Sequence, residues 1–187
     1  VIFSFNAARQ QTVWTGFTFD WYAQIVQDAK ALNAARNSAI IAVICTVVST
    51  VIGTLTALAL DRYRFRGRTA FEGAMYLPII VPEIVMAISL LVFFNFSFGL
   101  LAQWTKLQLN FGLGTITIAH IAFSFPFVAV VVRARLADFD RRLEEAAKDL
   151  GANEWQTFRR VTLPLLMPGI LAGALLAFTL SIDDFVI

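Results

Sequence analysis

The stretch Glu145-Ala146-Ala147-Lys148-Asp149-Leu150-Gly151, separated by nine residues from Val161-Thr162-Leu163-Pro164, interrupts a chain that is otherwise largely apolar. The stretch itself is polar and charged. Residues 107–132 before it and residues 161–182 at its end carry no Asp, Glu, Lys or Arg, and both runs are long enough to cross a bilayer. The stretch and its surroundings therefore predict a membrane protein with a charged element outside the bilayer.

Apolar residues are massed in continuous runs rather than spaced periodically. Of 187 residues, 58% are hydrophobic and 15% are charged, against about 25% charged in an average soluble domain. About 20 apolar residues span the hydrocarbon core as a helix, and four runs without Asp, Glu, Lys or Arg meet that length: residues 37–60, 84–105, 107–132 and 161–182. We therefore predict an all-α, polytopic transmembrane helical bundle with about four full spans.

We interpret residues 1–187 as a single transmembrane domain that is truncated at both ends. The chain opens on Val1-Ile2-Phe3-Ser4-Phe5 and stops at Asp183-Asp184-Phe185-Val186-Ile187, in both cases within apolar sequence. We expect parts of flanking helices at these ends, with most of one helix missing before Val1 and at least one missing after Ile187.

The basic residues are distributed on one side of the predicted spans. Of the 15 Lys and Arg residues, four lie in Arg62-Tyr63-Arg64-Phe65-Arg66-Gly67-Arg68 and seven lie between residues 133 and 160. Because these segments follow the first and third full spans, both fall on one face, which the positive-inside rule makes cytoplasmic. The pattern argues against nucleic acid as a partner, since that needs a basic surface on a soluble domain.

The charged element predicts two short helices joined by a glycine. Residues 138–150 carry an apolar stripe at helical spacing, and Gly151 supplies the left-handed residue that ends the helix. The run Asn153-Glu154-Trp155-Gln156 resembles a capping box for a second helix. Pro164 and Pro168 then predict a break before the chain re-enters the bilayer.

The pattern E-A-A-x3-G-x9-[IV]-x-L-P in these residues resembles the cytoplasmic signature loop of permease subunits in binding-protein-dependent ABC importers. The resemblance implies that residues 133–164 form a coupling segment that docks on an ATPase subunit. Val161 stands where the family commonly has Ile. The resemblance makes the following the ATPase-coupling residues: Glu145, Ala146, Ala147, Gly151, Leu163 and Pro164.

The same resemblance implies the type I ABC importer permease fold, in the bacterial cytoplasmic (inner) membrane. It also implies four kinds of partner: ABC ATPase subunits, a second permease subunit, an extracytoplasmic substrate-binding protein and membrane lipid. The chain contains no G-x-x-x-x-G-K-[ST], so it cannot cradle nucleotide phosphates by the P-loop mechanism. We therefore expect a transport subunit that is not an enzyme, binds no cofactor or metal, and relies on a partner to bind and hydrolyse ATP.

Three acidic residues lie at or near membrane depth: Glu83, Asp183 and Asp184. Pro78 and Pro82 predict a helix break beside Glu83, and a membrane tolerates such a break where it faces protein or a water-filled cavity. No Lys or Arg lies in any of the four runs, and ionisable groups in a membrane usually face a water-filled path or a partner. These residues favour a pathway for a cationic substrate. The alternative is that Asp183 or Asp184 caps a helix or titrates to neutral within a packed bundle.

A closer resemblance is carried by Pro82-Glu83-Ile84-Val85-Met86-Ala87-Ile88, Tyr63-Arg64-Phe65-Arg66-Gly67 and Phe178-Thr179-Leu180-Ser181-Ile182-Asp183-Asp184. These runs are similar to the spermidine/putrescine ABC importer permeases, which commonly have Asp in place of Glu83. The resemblance implies import of a polyamine by alternating access.

Three alternatives to polyamine import remain open. A permease for another small solute would share the coupling pattern, whereas a gated channel would not require it. An intramembrane aspartyl protease needs two facing carboxylates. Asp183 and Asp184 are adjacent and point about 100° apart on one helix, so they cannot form that pair by themselves. The only histidine, His120, predicts a hydrogen-bonded packing residue rather than a ligand.

Overall fold

The computed structural model describes residues 2–8, 13–105 and 110–184 of the chain. In these ranges the backbone is mostly helical and forms no β-strand, and the isolated bridge that they contain pairs Asn6 with Phe17. The all-α class predicted from the sequence is therefore confirmed. The chain divides into two compact units, residues 1–40 and 41–187.

The first unit is organised around the buried side chain of Asn6. Its amide nitrogen donates a hydrogen bond to the Val13 carbonyl oxygen at 2.7 Å, and its amide oxygen accepts one from the Thr15 backbone N–H at 2.9 Å. The indole of Trp21, in helix α1 (Asp20–Gln27), donates to the Asn6 carbonyl oxygen at 2.8 Å. These bonds satisfy a buried amide and tie the N-terminal turn to α1. Four aromatic rings pack together in the same unit: Phe5, Phe17, Phe19 and Tyr22.

The remaining helices follow one another along the chain. They are α2 (Ala29–Arg62), α3 (Arg68–Ile80), α4 (Glu83–Thr105), α5 (Leu113–Ala137), α6 (Arg142–Asp149), α7 (Glu154–Thr157) and α8 (Leu163–Asp183).

Four helical runs are long and apolar enough to cross a membrane: Ala29–Arg62, Glu83–Trp104, Leu113–Ala137 and Glu154–Asp183. Each overlaps most of one of the four runs identified in the sequence, so the predicted number of spans is confirmed. The third run begins at Leu113 rather than at residue 107, and residues 106–109 lie outside the described part of the chain.

The helix break predicted near two prolines is confirmed at Pro82. Helix α3 ends at Ile80, Val81 is extended with φ −78° and ψ 135°, and Glu83 is the first residue of α4. A proline ring pushes the preceding residue out of the helical region, which accounts for the conformation of Val81. Pro78, by contrast, lies inside α3.

Val128 of α5 lies at the centre of the packed core and is fully buried. It contacts Gly53 of α2 and Gly173 of α8 so closely that neither position leaves ordinary room for a Cβ atom. Small residues permit this close approach of helices in lipid. The apolar cluster around Val128 contains Ala57, Val132, Leu136, Leu166 and Ala177, so α2, α5 and α8 form the centre of the bundle.

Candidate functional site

The first helix of the coupling segment is shorter than the sequence predicts. Helix α5 continues to Ala137 and α6 begins at Arg142. The prediction that a helix begins at residue 138 is therefore wrong by four residues. The Asp140 carboxylate accepts a hydrogen bond from the Arg142 backbone N–H at 3.0 Å. This local bond forms an Asx turn, which competes with helix formation. Asp140 thereby separates α5 from α6.

The prediction that Gly151 supplies the left-handed residue after this helix is confirmed. Helix α6 ends at Asp149, two residues before it. Gly151 has a φ of +86°. Its N–H donates to the Lys148 carbonyl oxygen at 2.8 Å, and the Ala152 N–H donates to the Ala147 carbonyl oxygen at 3.0 Å. These two bonds make a Schellman motif, whose left-handed position favours glycine. The chain therefore turns sharply here, and the neighbouring Leu150 is 90% exposed.

The second helix of the segment begins as the sequence predicts. The Gln156 backbone N–H donates to the Asn153 side-chain oxygen at 2.9 Å, and the Asn153 N–H donates to the Gln156 side-chain oxygen at 3.1 Å. This is a reciprocal capping box. It satisfies two backbone N–H groups at the start of α7, since the first turn of a helix has no intrahelical partner for them.

The break predicted at Pro164 and Pro168 is wrong, because the chain stays helical from α7 through α8. A π-helical stretch, Phe158–Thr162, joins the two helices directly before Pro164. Such a stretch inserts extra backbone into the helix and changes its hydrogen-bond pattern. Pro164 thus lies at the start of α8, just after the π-helical stretch, and Pro168 lies inside α8.

Of the six residues assigned to coupling by resemblance, four lie in α6 or at the turn after it, and two, Leu163 and Pro164, begin α8. Four of them are exposed, Glu145, Ala146, Gly151 and Pro164, whereas Ala147 and Leu163 are half-buried. A surface depression of about 260 Å³ is lined by Ala147, Leu150, Gly151, Ala152, Gln156, Arg160 and Val161. With small side chains at its edge, the corner offers another protein a close approach to its backbone.

The structure also brings together the acidic residues that the sequence placed at membrane depth. Glu83 begins α4, Asp183 ends α8 and Asp184 follows it. The carboxyl groups of Asp184 and Asp183 are both close enough to Glu83 to act on it electrostatically. The Asp184 side chain is only 1% exposed, whereas Asp183 is exposed. We call Glu83, Asp183 and Asp184 the acidic cluster.

His120 of α5 lies against this cluster. Its Nδ1 is 2.9 Å from the Ser181 hydroxyl oxygen, and its Nε2 is 3.9 Å from the Asp184 carboxylate. The predicted hydrogen-bonded packing of His120 is confirmed. Its place beside Asp184 was missed, because no spacing in the sequence relates the two residues. Helices α4, α5 and α8 therefore each contribute polar side chains to one region.

Helix α8 connects the two candidate sites. The coupling residues Leu163 and Pro164 are its first two residues, and Asp183 is its last. Within residues 2–8, 13–105 and 110–184, no group of three or more His, Cys, Asp and Glu side chains is arranged to hold a metal ion. Two of the residues assigned to coupling by resemblance thus lie at one end of α8, and the acidic cluster lies at the other end.

A charged corner leads directly into α8, one of the helical runs long and apolar enough to cross a membrane. Over residues 49–187 the chain matches the family described as "Binding-protein-dependent transport system inner membrane component". The chain therefore belongs to that family and is an inner-membrane permease of an importer, a transport component rather than an enzyme.

The chain is similar to two permease proteins of Escherichia coli (strain K12). It is 44% identical over 187 residues to the spermidine/putrescine transport system permease protein PotC, covering 100% of this chain and 67% of PotC. It is 40% identical over 188 residues to the putrescine transport system permease protein PotI, covering 100% of this chain and 66% of PotI. The chain thus spans about two thirds of the length of these curated relatives.

The fold is similar to a crystal structure of a bacterial ABC transporter involved in the import of the acidic polysaccharide alginate. The TM-score is 0.75 at 20% sequence identity, and the match covers 90% of this chain and 63% of that chain. This likeness concerns the fold, and it confirms the ABC importer permease architecture expected from the sequence.

Proposed function

We propose that this chain is the permease subunit of an ATP-driven importer that moves a polyamine such as spermidine or putrescine. The main support for a polyamine substrate is the acidic cluster. It lies at the edges of runs that contain no Lys or Arg. A polyamine carries several positive charges, and a charge inside a membrane is costly unless it is compensated. The relatives named for spermidine and putrescine support the same substrate class.

The proposed complex contains two permease subunits, two ABC ATPase subunits and an extracytoplasmic substrate-binding protein. Residues 133–164 form the coupling segment, with Glu145, Ala146, Ala147, Gly151, Leu163 and Pro164 at the contact with the ATPase. Two features support this assignment: the exposed Gly151 corner and the depression beside it. ATP is bound and hydrolysed by the partner, and this chain contributes no covalent chemistry.

The proposed mechanism is alternating access. ATP binding closes the ATPase pair, the coupling segment moves with it, and α8 carries that movement to the acidic cluster. The cluster compensates the charge of the polyamine while access changes from one side of the membrane to the other. The ATPases and the binding protein drive this change only if each binds the two states with different affinity.

The proposal is tested with the full-length complex in vesicles that contain ATP, with the binding protein and labelled spermidine or putrescine outside. We expect uptake that requires both internal ATP and the binding protein. Uptake without ATP would instead identify a channel. ATP-driven uptake of another small solute without any polyamine uptake would identify the other-solute permease. Release of a cleaved peptide from a membrane substrate would indicate a protease.

A further inference from the structure

Two ion pairs connect the end of α2 with the coupling segment. The Arg141 guanidinium donates to the Asp61 carboxylate at 2.7 Å, and it also donates to the Asp61 carbonyl oxygen at 3.4 Å. The Arg62 guanidinium donates to the Glu144 carboxylate. We call Asp61, Arg62, Arg141 and Glu144 the clasp.

The order of charges in the clasp selects one placement of the coupling segment. Arg141 and Glu144 are three residues apart, at the start of α6, so their side chains lie on one side of the turn. The end of α2 presents an acid and then a base, Asp61 and Arg62. The coupling segment presents a base and then an acid, Arg141 and Glu144. The opposite pairing would bring Asp61 to Glu144 and Arg62 to Arg141, and like charges repel.

Glu144 makes a third connection, to the π-helical stretch before α8. Its carboxylate accepts a hydrogen bond from the Thr162 hydroxyl, and Thr162 is fully buried. One carboxylate therefore joins the end of α2, the first turn of α6 and the entry to α8. The neighbouring Glu145, which carries the coupling pattern, is exposed. The two adjacent glutamates thus have different surroundings.

The clasp is suited to fixing geometry rather than to stabilising the fold. The Arg62 side chain is 31% exposed and its partner Glu144 is 16% exposed. The Arg141 side chain is 62% exposed and its partner Asp61 is 26% exposed. Ion pairs at such exposure contribute little to stability because water screens them. Loss of the clasp is therefore expected to leave the bundle folded while loosening the attachment of α6 to α2.

We infer that the clasp transmits movement of the coupling segment to α2, with Glu144 as the positioning residue that joins α2, α6 and α8. This inference rests on the proposed function, because it assigns the clasp a part in coupling ATP hydrolysis to uptake. The clasp stays closed in both states of the transporter, so that α6 and the end of α2 move as one body.

The test compares Arg62→Glu, Glu144→Arg and the double variant that carries both changes, each in the full-length complex in vesicles. We expect either single reversal to lower the uptake per ATP hydrolysed by roughly 5-fold or more, with binding-protein-stimulated ATP hydrolysis retained. The double variant restores an ion pair with reversed polarity and should recover most of the wild-type ratio. A purely structural role would change complex abundance without changing this ratio.

A matched control is Arg68→Glu, which reverses one member of the Arg68–Glu72 pair. That pair has a separation of 3.1 Å, lies within α3 and outside the coupling segment, and has side chains 30% and 24% exposed. The control removes an ion pair without loosening α2, and it should leave the uptake per ATP unchanged. An equal loss in the control and in Glu144→Arg would overturn the inference, because ion-pair loss in general would then explain both.

A crosslinking measurement keeps the inference testable if a single reversal fails to assemble. Cysteines replace Arg62 and Glu144 in a Cys45→Ala background, and a short reducible thiol crosslinker joins them. We expect uptake to continue with the crosslink in place. Uptake that stops on crosslinking and returns on reduction would show that the two segments must separate, which would overturn the closed clasp.

The two proposals fail in distinguishable ways. A wild-type complex without ATP-driven polyamine uptake refutes the proposed function. Wild-type uptake together with an unchanged uptake per ATP in both single reversals refutes the clasp alone.

Discussion

Gly53 of α2 lies so close to Val128 of α5 that a Cβ atom at position 53 would stand 2.7 Å from the Val128 Cβ. It would also stand 2.8 Å from the Phe125 carbonyl oxygen. Because one of these contacts is with backbone, rotation of a side chain cannot relieve it. The packing of α2 on α5 therefore depends on the absence of a side chain at position 53.

We expect Gly53→Ala to destabilise the purified protein by about 1–3 kcal/mol, the usual cost of overpacking a core. The control is Gly99→Ala in α4, since no described atom lies within 4 Å of a Cβ at that position. Thermal unfolding in detergent should show a lower midpoint for the first variant alone. Equal midpoints for both variants would contradict the close contact.

The second prediction concerns the corner of the coupling segment. Gly151→Val places a β-branched residue at a φ of +86°, a conformation that costs a non-glycine residue about 1–3 kcal/mol. No described atom lies within 4 Å of a Cβ there, so backbone strain alone acts. We expect the complex to reach the membrane but to lose binding-protein-stimulated ATP hydrolysis and uptake.

Gly151→Asn is the matched control for that variant, because asparagine tolerates the left-handed region better than valine does. It should retain most of the uptake. Wild-type uptake by a well-assembled Gly151→Val complex would count against the coupling assignment.

The third prediction concerns the acidic cluster. Asp184→Asn and Glu83→Gln should each reduce polyamine uptake while leaving assembly with the ATPase intact. Loss of one charged hydrogen bond of about 1–3 kcal/mol corresponds to roughly 5- to 150-fold in affinity. Uptake is measured in vesicles, with complex abundance determined in parallel. Asp183→Asn completes the series, and wild-type uptake by all three variants would place the selective site elsewhere.

The fourth prediction concerns orientation in the membrane. Single cysteines at Arg66 and Trp155 should react with an impermeant thiol reagent only from the cytoplasmic side, and one at Gln103 only from outside. All three positions are exposed, whereas the native Cys45 is fully buried, so background labelling should be low. Labelling of Arg66 and Gln103 from the same side would overturn the four-span topology.

Local features of the fold were predictable because each depends on a few neighbouring residues. The left-handed Gly151, the capping box at Asn153 and the break at Pro82 all follow from backbone chemistry. The continuous helix through Pro164 was not predictable in this way. It contains the π-helical stretch Phe158–Thr162, and no residue type in that stretch predicts a π-helix.

Contacts between distant residues could not be read from spacing. His120 and Ser181 are 61 residues apart, and Arg62 and Glu144 are 82 apart. Only the packing of whole helices brings these side chains together. The sequence did single out Glu83, Asp183 and Asp184 as an unusual set, because acidic residues are conspicuous beside apolar runs that contain no Lys or Arg. It did not show that Glu83 and Asp184 are direct neighbours.

Because α8 is unbroken, it can tilt as one rigid rod from the point where the chain enters the membrane. Its 21 residues rise about 1.5 Å each, which gives an arm of about 30 Å. A tilt of about 10° at the coupling end then displaces the Asp183 end by about 5 Å, close to one helical turn. A flexible joint at Pro164 would have absorbed that rotation. Under the proposed function, a small rotation at the ATPase contact would therefore be large enough, once amplified along this arm, to change the surroundings of the acidic cluster.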